Sequence, residues 1–572
     1  MLPAVHRSTR RSPTRFASLA LLGALTLAPA CKGDEAGKAG KDGDGKADKT
    51  GDAGTPATPG ESAKVAPPAG PTSNPVDSPA VAERGEVVAT VQVPTGTKMT
   101  DLAGAIDAIQ PGASVMLGMQ IPAALEGAVG FDLGKHAKLD AAMSVIVLDP
   151  TSHPQPFAFL VTPKGDGAAL SEAAKAAGHE VELQDGLALV GPSGVVAAAK
   201  EFAFTNLSKV PDHSEIIVYP QRLLSSYASV LDQALTDMGG LMAGLGGSSD
   251  GMTQMFQSYA KAMVALGQQT DRMVISVGSS PAGAELIARL YPLPDTTLAK
   301  FIDAQVVSDH ALLAKLPTGG ESMIMSGNMH AGPARDAFVD FTVDVMAPMW
   351  GGMGADEWRA LMIPWLDALD GRFAMSMSMN VAQGKLPTMA MTAVMGVNDS
   401  ATLWTAWRGM LSKMAGSPGI EMMGMKITAR HEQKVLEHDG VEIDLYGSDI
   451  DTSGLPPDQA AAIEAAGTSN QAMHMAAFDN LAVMATADPD GAAIKSIIDS
   501  ARGKGDAMTP SPLLTSTLAA SKARGDSMLV FFDVASLAAK SGAPAGQAPF
   551  KAMAMSAGKH DGAMSFRISL LK

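Results

Sequence analysis

The stretch Glu180-Val-Glu-Leu-Gln-Asp-Gly-Leu-Ala-Leu-Val190 decides how this chain folds. Two short runs suited to extended backbone flank Asp185-Gly186. An Asp-Gly pair supplies the left-handed conformations that a two-residue antiparallel turn requires. The stretch therefore predicts a β-hairpin with strands over 180–183 and 187–190. The same grammar surrounds it. Ala142-Met-Ser-Val-Ile-Val-Leu148 and Pro156-Phe-Ala-Phe-Leu-Val161 are joined by the turn-rich Asp149-Pro-Thr-Ser-His-Pro154, a second hairpin signal. Between the hairpins, 168–177 is alanine-rich and ends at Gly178, which predicts a helix closed by a C-terminal glycine.

Working outward, 86–93 reads as strand and 101–109 as helix, Pro111-Gly112 turns into the run 113–121, and 123–131 reads as helix. Downstream come a helix over 195–204, a strand over 215–219, and helices over 222–238 and 252–266. A glycine-rich hinge, 239–247, separates those two helices, and paired strands follow over 272–277 and 285–290. Antiparallel strands interspersed with helices indicate an α+β fold, with the helices of each sheet packed on one side.

From about Leu298 the pattern starts again. Ala105-Ile-Asp-Ala-Ile109 and the Val115-Met-Leu run are echoed by Ala311-Leu-Leu-Ala-Lys-Leu316 and Met323-Ile-Met325. The hairpin over 139–161 is echoed by 369–379 with 389–394, and Asp185-Gly-Leu-Ala-Leu-Val by Asp479-Asn-Leu-Ala-Val-Met. Glu215-Ile-Ile-Val-Tyr219 answers to Ser527-Met-Leu-Val-Phe-Phe532, and 272–277 to 552–557 with a closing strand over 563–571. Five landmarks in one order predict two related halves, 86–297 and 298–572. The hairpin pattern is fullest at His438-Asp-Gly-Val-Glu-Ile-Asp-Leu-Tyr446. In this the region after residue 86 resembles a group of secreted bacterial proteins classed only as a domain of unknown function. That resemblance implies no activity and carries over no catalytic residue.

The N-terminus has a different logic. Arg7, Arg10, Arg11 and Arg15 make a basic region, Phe16-Ala-Ser-Leu-Ala-Leu-Leu-Gly-Ala-Leu-Thr-Leu27 is apolar, and Ala28-Pro29-Ala30-Cys31 follows. The apolar run is shorter than the roughly 20 residues of a membrane span, and fits a removable export signal over 1–30. With its small residues before the single cysteine of the chain, the segment resembles bacterial lipoprotein precursors. The resemblance implies lipidation of Cys31 and anchoring of the exported protein to the cell envelope. Lys32 stands where aspartate favours inner-membrane retention, so the outer membrane is expected. Residues 31–85 mix Gly, Lys and Asp and then turn proline-rich, as at Thr55-Pro56-Ala57-Thr58-Pro59-Gly60, which predicts a disordered tether.

Composition narrows the function. Hydrophobic residues make up 46%, yet aromatics only 5%, and 37 methionines stand in for them. The formal charge is −16, and loss of the four leader arginines takes it to −20. Such a chain is repelled by phosphate backbones, which argues against nucleic acid. Membrane contact is expected through the acyl chains alone.

Candidate chemistry is sparse. Gly247-Ser-Ser249-Asp-Gly251 matches G-x-S-x-G but follows a glycine-rich hinge, where the nucleophile elbow needs a strand. His431, Glu432, Glu437, His438 and Asp439 lie near one another on one hairpin, where the two histidines could approach as a divalent site; exposed hairpin polarity is the reading adopted. Met375, Met377 and Met379, Met389 and Met391, Met323 and Met325, and Glu421-Met-Met-Gly-Met425 recur at strand spacing, as adaptable core filler does. Met329-His330 and Met473-His474-Met475 add imidazole to thioether, a donor set suited to Cu(I). No catalytic residue and no cofactor is assigned. The reading adopted is a lipid-anchored, non-enzymatic binding or scaffolding protein whose partner is a hydrophobic ligand or an envelope protein. Copper handling at Met473, His474, Met475, Met329 and His330 is one alternative, and a hydrolase with a site scattered in sequence is the other.

Overall fold

Four tight turns sit where the sequence writes a two-residue left-handed pair. Asp185 and Gly186 have φ of 52° and 79°, Asp439 and Gly440 51° and 75°, Asp479 and Asn480 45° and 61°, Asp561 and Gly562 48° and 75°. Each pair joins strands whose last and first residues face each other directly, the geometry of a two-residue hairpin loop. The computed structural model describes residues 84–94, 129–208, 214–225, 250–280, 283–319, 322–349, 354–380, 388–422, 425–465, 470–540 and 550–572, with single positions at 107, 115, 126 and 127. The expected export signal, Cys31, the expected tether up to residue 83, the hinge over 239–247 and Ser249 lie outside them. So does most of 95–128, where Val115 alone of the run 113–121 is described, and it is helical. Arg84 is buried and paired with Asp271 at 2.7 Å, so the folded region begins there and not after 85.

The strands are β1 Val87–Val93, β2 Met143–Leu148, β3 Phe157–Val161, β4 His179–Gln184, β5 Leu187–Pro192 and β6 Ser214–Val218. They continue as β7 Thr270–Ser280, β8 Gly283–Pro292, β9 Met323–Asn328, β10 Leu369–Asn380, β11 Thr388–Val397 and β12 Ile420–Met422. The last are β13 Met425–His438, β14 Val441–Asp451, β15 Asn470–Phe478, β16 Leu481–Thr486, β17 Asp526–Asp533, β18 Ala552–His560 and β19 Ala563–Leu571. Their ladders run in one spatial line: β4-β5-β3-β2-β1-β6-β7-β8-β19-β18-β17-β9-β10-β11-β16-β15-β14-β13-β12. Every neighbouring pair in it is antiparallel.

Helices cover both faces of this sheet, which corrects the expectation of one covered side. On the first face, helix Val195–Asn206 packs over Ile146, Leu160 and Leu189, and helix Ala492–Ala501 over Val394, Val483 and Ala485. On the second face, helix Ala168–Ala176 packs over Phe159 and Val190, and helix Ser400–Ala415 over Met475 and Ala482. Successive residues of a strand point to opposite faces. A strand covered twice must therefore be apolar at every position, and Leu187-Ala-Leu-Val190 and Leu481-Ala-Val-Met484 are. Helix Ala492–Ala501 buries Ile494, Ile497 and Ile498 completely, at the i, i+3, i+4 spacing of one helical stripe. Each such side chain contributes about 1.5–3 kcal/mol by leaving water.

Between the two apolar clusters of the first face runs a buried polar row. Ser144, Gln92, Glu215 and Ser276 face one another across β2, β1, β6 and β7, and the row resumes at Arg567, Ser556 and Ser326. At the β8–β19 junction Arg567 donates to Glu285 at 2.7 Å, with both groups nearly inaccessible. No described helix is long and apolar enough to cross a bilayer.

Candidate functional site

The second face of the sheet carries most of the strand methionines. Met528 of β17, Gly327 of β9, Phe373 of β10 and Met395 of β11 stand in one transverse row, and Met325 lies two residues along β9. Gly327 leaves room in that row, since a Cβ there would come within 3.0 Å of both Met528 Cα and Phe373 Cζ. These side chains floor a cavity of about 1150 Å³. Sites for small organic ligands occupy roughly 300–1000 Å³, so this one has space for a long chain.

Its roof is helical. Helix Asp250–Gln268 presents Ser258, Lys261, Ala262, Ala265 and Leu266, at the spacing of one helix face. Helix Arg335–Met349 adds Phe338 and Phe341, and the ring of Tyr259 meets that of Phe341 edge-on with centroids 5.1 Å apart, tying the two helices together. Leu298 and Phe301 of helix Thr297–Ala304 and Trp365 and Leu366 of helix Ala355–Ala368 close the ends. At the mouth, Met329 and Phe338 are 54% and 43% exposed.

The charges around the mouth are mostly paired within the protein. Arg335 bonds Asp367 at 2.7 Å, Arg372 bonds Asp370 through Nε at 2.9 Å, and Asp340 accepts from Arg359. Gly371, at φ 91°, lets β10 begin close under the 328–330 segment; a side chain there would meet Asn328 Oδ1 and the Met329 carbonyl at 2.9 Å. The wall is thus apolar and the charges of its rim mostly paired, so the space can accommodate a hydrophobic molecule.

The sequence named Met325, Met329 and His330 among these residues and brought none of them together with Met395, Met528 or the helices. One signal was available. In a chain with few aromatics, Phe338 with Phe341 and Trp358 with Trp365 each recur at helical spacing, marking helices with something large to cover.

The copper candidates separate in space. Met473 and Met475 belong to the second face, packed with Met395 and Met484 under helix Ser400–Ala415. His474 points to the first face, where its Nδ1 stands 3.5 Å from Asp488, the residue that caps helix Ala492–Ala501. One ion is not reached from both sides of a sheet. Met329 and His330 share the cavity lining instead. Among the described residues no group of three or more His, Cys, Asp or Glu side chains converges on a point. Met389 is 57% exposed, unlike core filler, whereas Met475 is buried as that reading requires. Part of Glu421–Met425 lies outside the described residues.

His431 and His438 do not approach, because both lie on β13, opposite Tyr446 and Val441. Each finds its own carboxylate. His438 Nε2 is 2.8 Å from Asp499, which fixes the hairpin tip to helix Ala492–Ala501. His431 belongs to a relay that no sequence spacing announced. Ser412 Oγ is 3.0 Å from its Nδ1, and its Nε2 is 3.1 Å from Asp444 Oδ2. Asp444 only accepts, so Nε2–H donates to it, and in the neutral ring Nδ1 is then left to accept from the serine hydroxyl. Burial works against the Asp444 charge, but Arg408, the Lys434 N–H and His431 outweigh it and hold the carboxyl below its usual range. The order matches nucleophile, base and orienting acid. The serine, however, sits within helix Ser400–Ala415, where neighbouring N–H groups are used by the helical ladder. The helix itself therefore offers no free N–H beside this serine. The relay is a strut between that helix and the β13–β14 hairpin.

Compared with protein-family models, curated proteins and solved structures, the chain matches none.

Proposed function

We propose that the chain is an exported envelope lipoprotein, fixed by acylated Cys31, whose folded region binds a hydrophobic ligand and catalyses no reaction. The observation that carries the binding reading is the methionine- and phenylalanine-lined cavity between the sheet and helices Asp250–Gln268 and Arg335–Met349. Placement rests on the basic and apolar leader before the single cysteine. The acidic remainder, repelled by anionic headgroups, leaves the acyl chains to hold the membrane, with the outer membrane preferred.

The folded region is further proposed to be two copies of one unit, 86–297 and 298–572. Strand order supports this. From one end the sheet reads β4-β5-β3-β2-β1-β6-β7-β8. The second series, β15-β16-β11-β10-β9-β17-β18-β19, repeats it place for place. The two meet at β8–β19, and β12 to β14 are an addition after β11. Helix Val195–Asn206 after β5 has its counterpart in Ala492–Ala501 after β16, on the same face. In this alignment β9 takes the place of β1, not of 113–121.

Mass spectrometry of the protein extracted from its native membrane tests both parts. The expected result is an N-terminus at Cys31 bearing acyl chains, with an organic-soluble molecule released on denaturation. An unmodified Cys31 overturns the anchor. A protein that neither carries nor takes up any apolar molecule overturns the binding reading. Ala262→Trp, directed into the cavity from the roof helix, should reduce uptake of a fluorescent apolar probe about tenfold or more while leaving the unfolding midpoint nearly unchanged.

A further inference from the structure

We infer that Met329 is an oxidation-sensitive gate: a peroxide converts its thioether to a sulfoxide, and the polar oxygen so placed at the mouth weakens the hold of the cavity on an apolar ligand. This rests on the cavity being a ligand site and adds how that site is controlled. Four methionines line the cavity, Met325, Met329, Met395 and Met528. Three of them stand half-buried on the floor strands, whereas Met329 is exposed at the mouth. Its backbone is pinned from two sides. The Met329 N–H donates to the Gly371 carbonyl at 2.9 Å, and Gln305 Nε2 donates to the His330 carbonyl at 3.0 Å. The side chain is thus presented to solvent by a fixed segment.

The single cysteine is at position 31, so no thiol in the folded region competes with its thioethers for an oxidant. The Met329 sulfur attacks the outer oxygen of the peroxide and the O–O bond breaks. Sulfur gains that oxygen and gives up two electrons, and the hydroxyl proton passes to the other oxygen, which leaves as water or an alcohol. The sulfoxide keeps the length of the side chain but adds a strong hydrogen-bond acceptor. In the empty protein that oxygen faces water. An apolar chain lying across the mouth strips the water away and offers no donor in return, so the cost falls on the bound state. Met263 and Met389 are 64% and 57% exposed and lie outside the lining, which makes them internal controls.

The test uses the full chain carrying Cys31→Ser and 1-aminoanthracene as a fluorescent apolar probe. Uptake by the untreated protein is measured first, and its absence is a failure of the binding reading itself. Hydrogen peroxide is then added in steps, with sulfoxide at each methionine read by peptide mass spectrometry and probe affinity by titration. Met329 should oxidise several-fold faster than Met325, Met395 and Met528. Affinity should fall about fivefold or more in step with Met329 sulfoxide. Each variant is compared with its own affinity before treatment. Met329→Leu should lose less than about twofold, while Met263→Leu and Met389→Leu should lose as much as the parent. Met329→Gln, which sets an uncharged polar group of similar length at the mouth, should show the weakening without peroxide. Probe bound beforehand should slow oxidation of Met329 and leave that of Met263 and Met389 unchanged. Full conversion of Met329 with affinity unaltered overturns the gate, and so does an equal loss in Met329→Leu. A Met329 that oxidises no faster than the floor methionines overturns its assignment as the site of attack.

Discussion

Glu215 shows what a buried polar row imposes on one residue. It stands on β6 opposite Gln92 of β1 and Ser276 of β7, with Ser276 Oγ 3.4 Å from its carboxyl. Burial pushes this carboxyl up from the ordinary 4.5 of a glutamate, against the pull of Arg289 and the Ser276 bond. The neighbouring Gln92 Oε1 is buried and lacks a donor, which a protonated Glu215 is chemically able to supply. With the folded pKa above the unfolded one, the native state binds more protons between the two values. Stability therefore falls as pH rises through that window and levels off above it. Glu215→Gln keeps a donor and removes the titration. Urea unfolding at pH 5 and pH 8 should show a smaller difference between the two for the variant than for the native chain, with the variant the more stable at pH 8. An unchanged pH dependence would show that Glu215 is ionised throughout.

The elements divide according to how local their causes are. The Asp-Gly and Asp-Asn turns were legible because a left-handed pair is a property of two adjacent residues, and Asp185-Gly186 alone set the register of β4 against β5. The two covered faces were harder to read, although Leu481-Ala-Val-Met484 is apolar without alternation, because a short apolar run fits a buried helix as well as a doubly covered strand. The cavity was almost illegible. Its walls come from residues between 258 and 528, and neither helical nor strand periodicity joins Met325 to Met528 or Phe341 to Trp365. The Ser412–His431–Asp444 relay escaped for the same reason. Helix Ala492–Ala501 sets three fully buried isoleucines on one stripe, against β16 and β11. Ile497→Ala there should lower unfolding free energy by about 2–5 kcal/mol, read from the urea midpoint at constant m. A loss below 0.5 kcal/mol would mean that the helix does not press on β16 and β11 as described.

At the scale of the whole molecule, the proposed anchor and the proposed binding cavity occupy separate parts of the chain. Every residue lining the cavity lies between 258 and 528, and the proposed acylation site is at 31. If acyl chains on Cys31 are the hold on the envelope, the acidic remainder offers anionic lipid no electrostatic substitute for them. Cys31→Ser should then move the exported protein from the membrane pellet to the soluble fraction, since one or two acyl chains supply binding that a net negative surface opposes. The same variant should keep its affinity for 1-aminoanthracene within about twofold, because no cavity contact is altered. Fractionation and probe titration on one preparation read both outcomes. Retention in the pellet would place the anchor elsewhere than Cys31. Loss of probe binding together with release would mean that the N-terminal region reaches the cavity and that anchor and site act as one device.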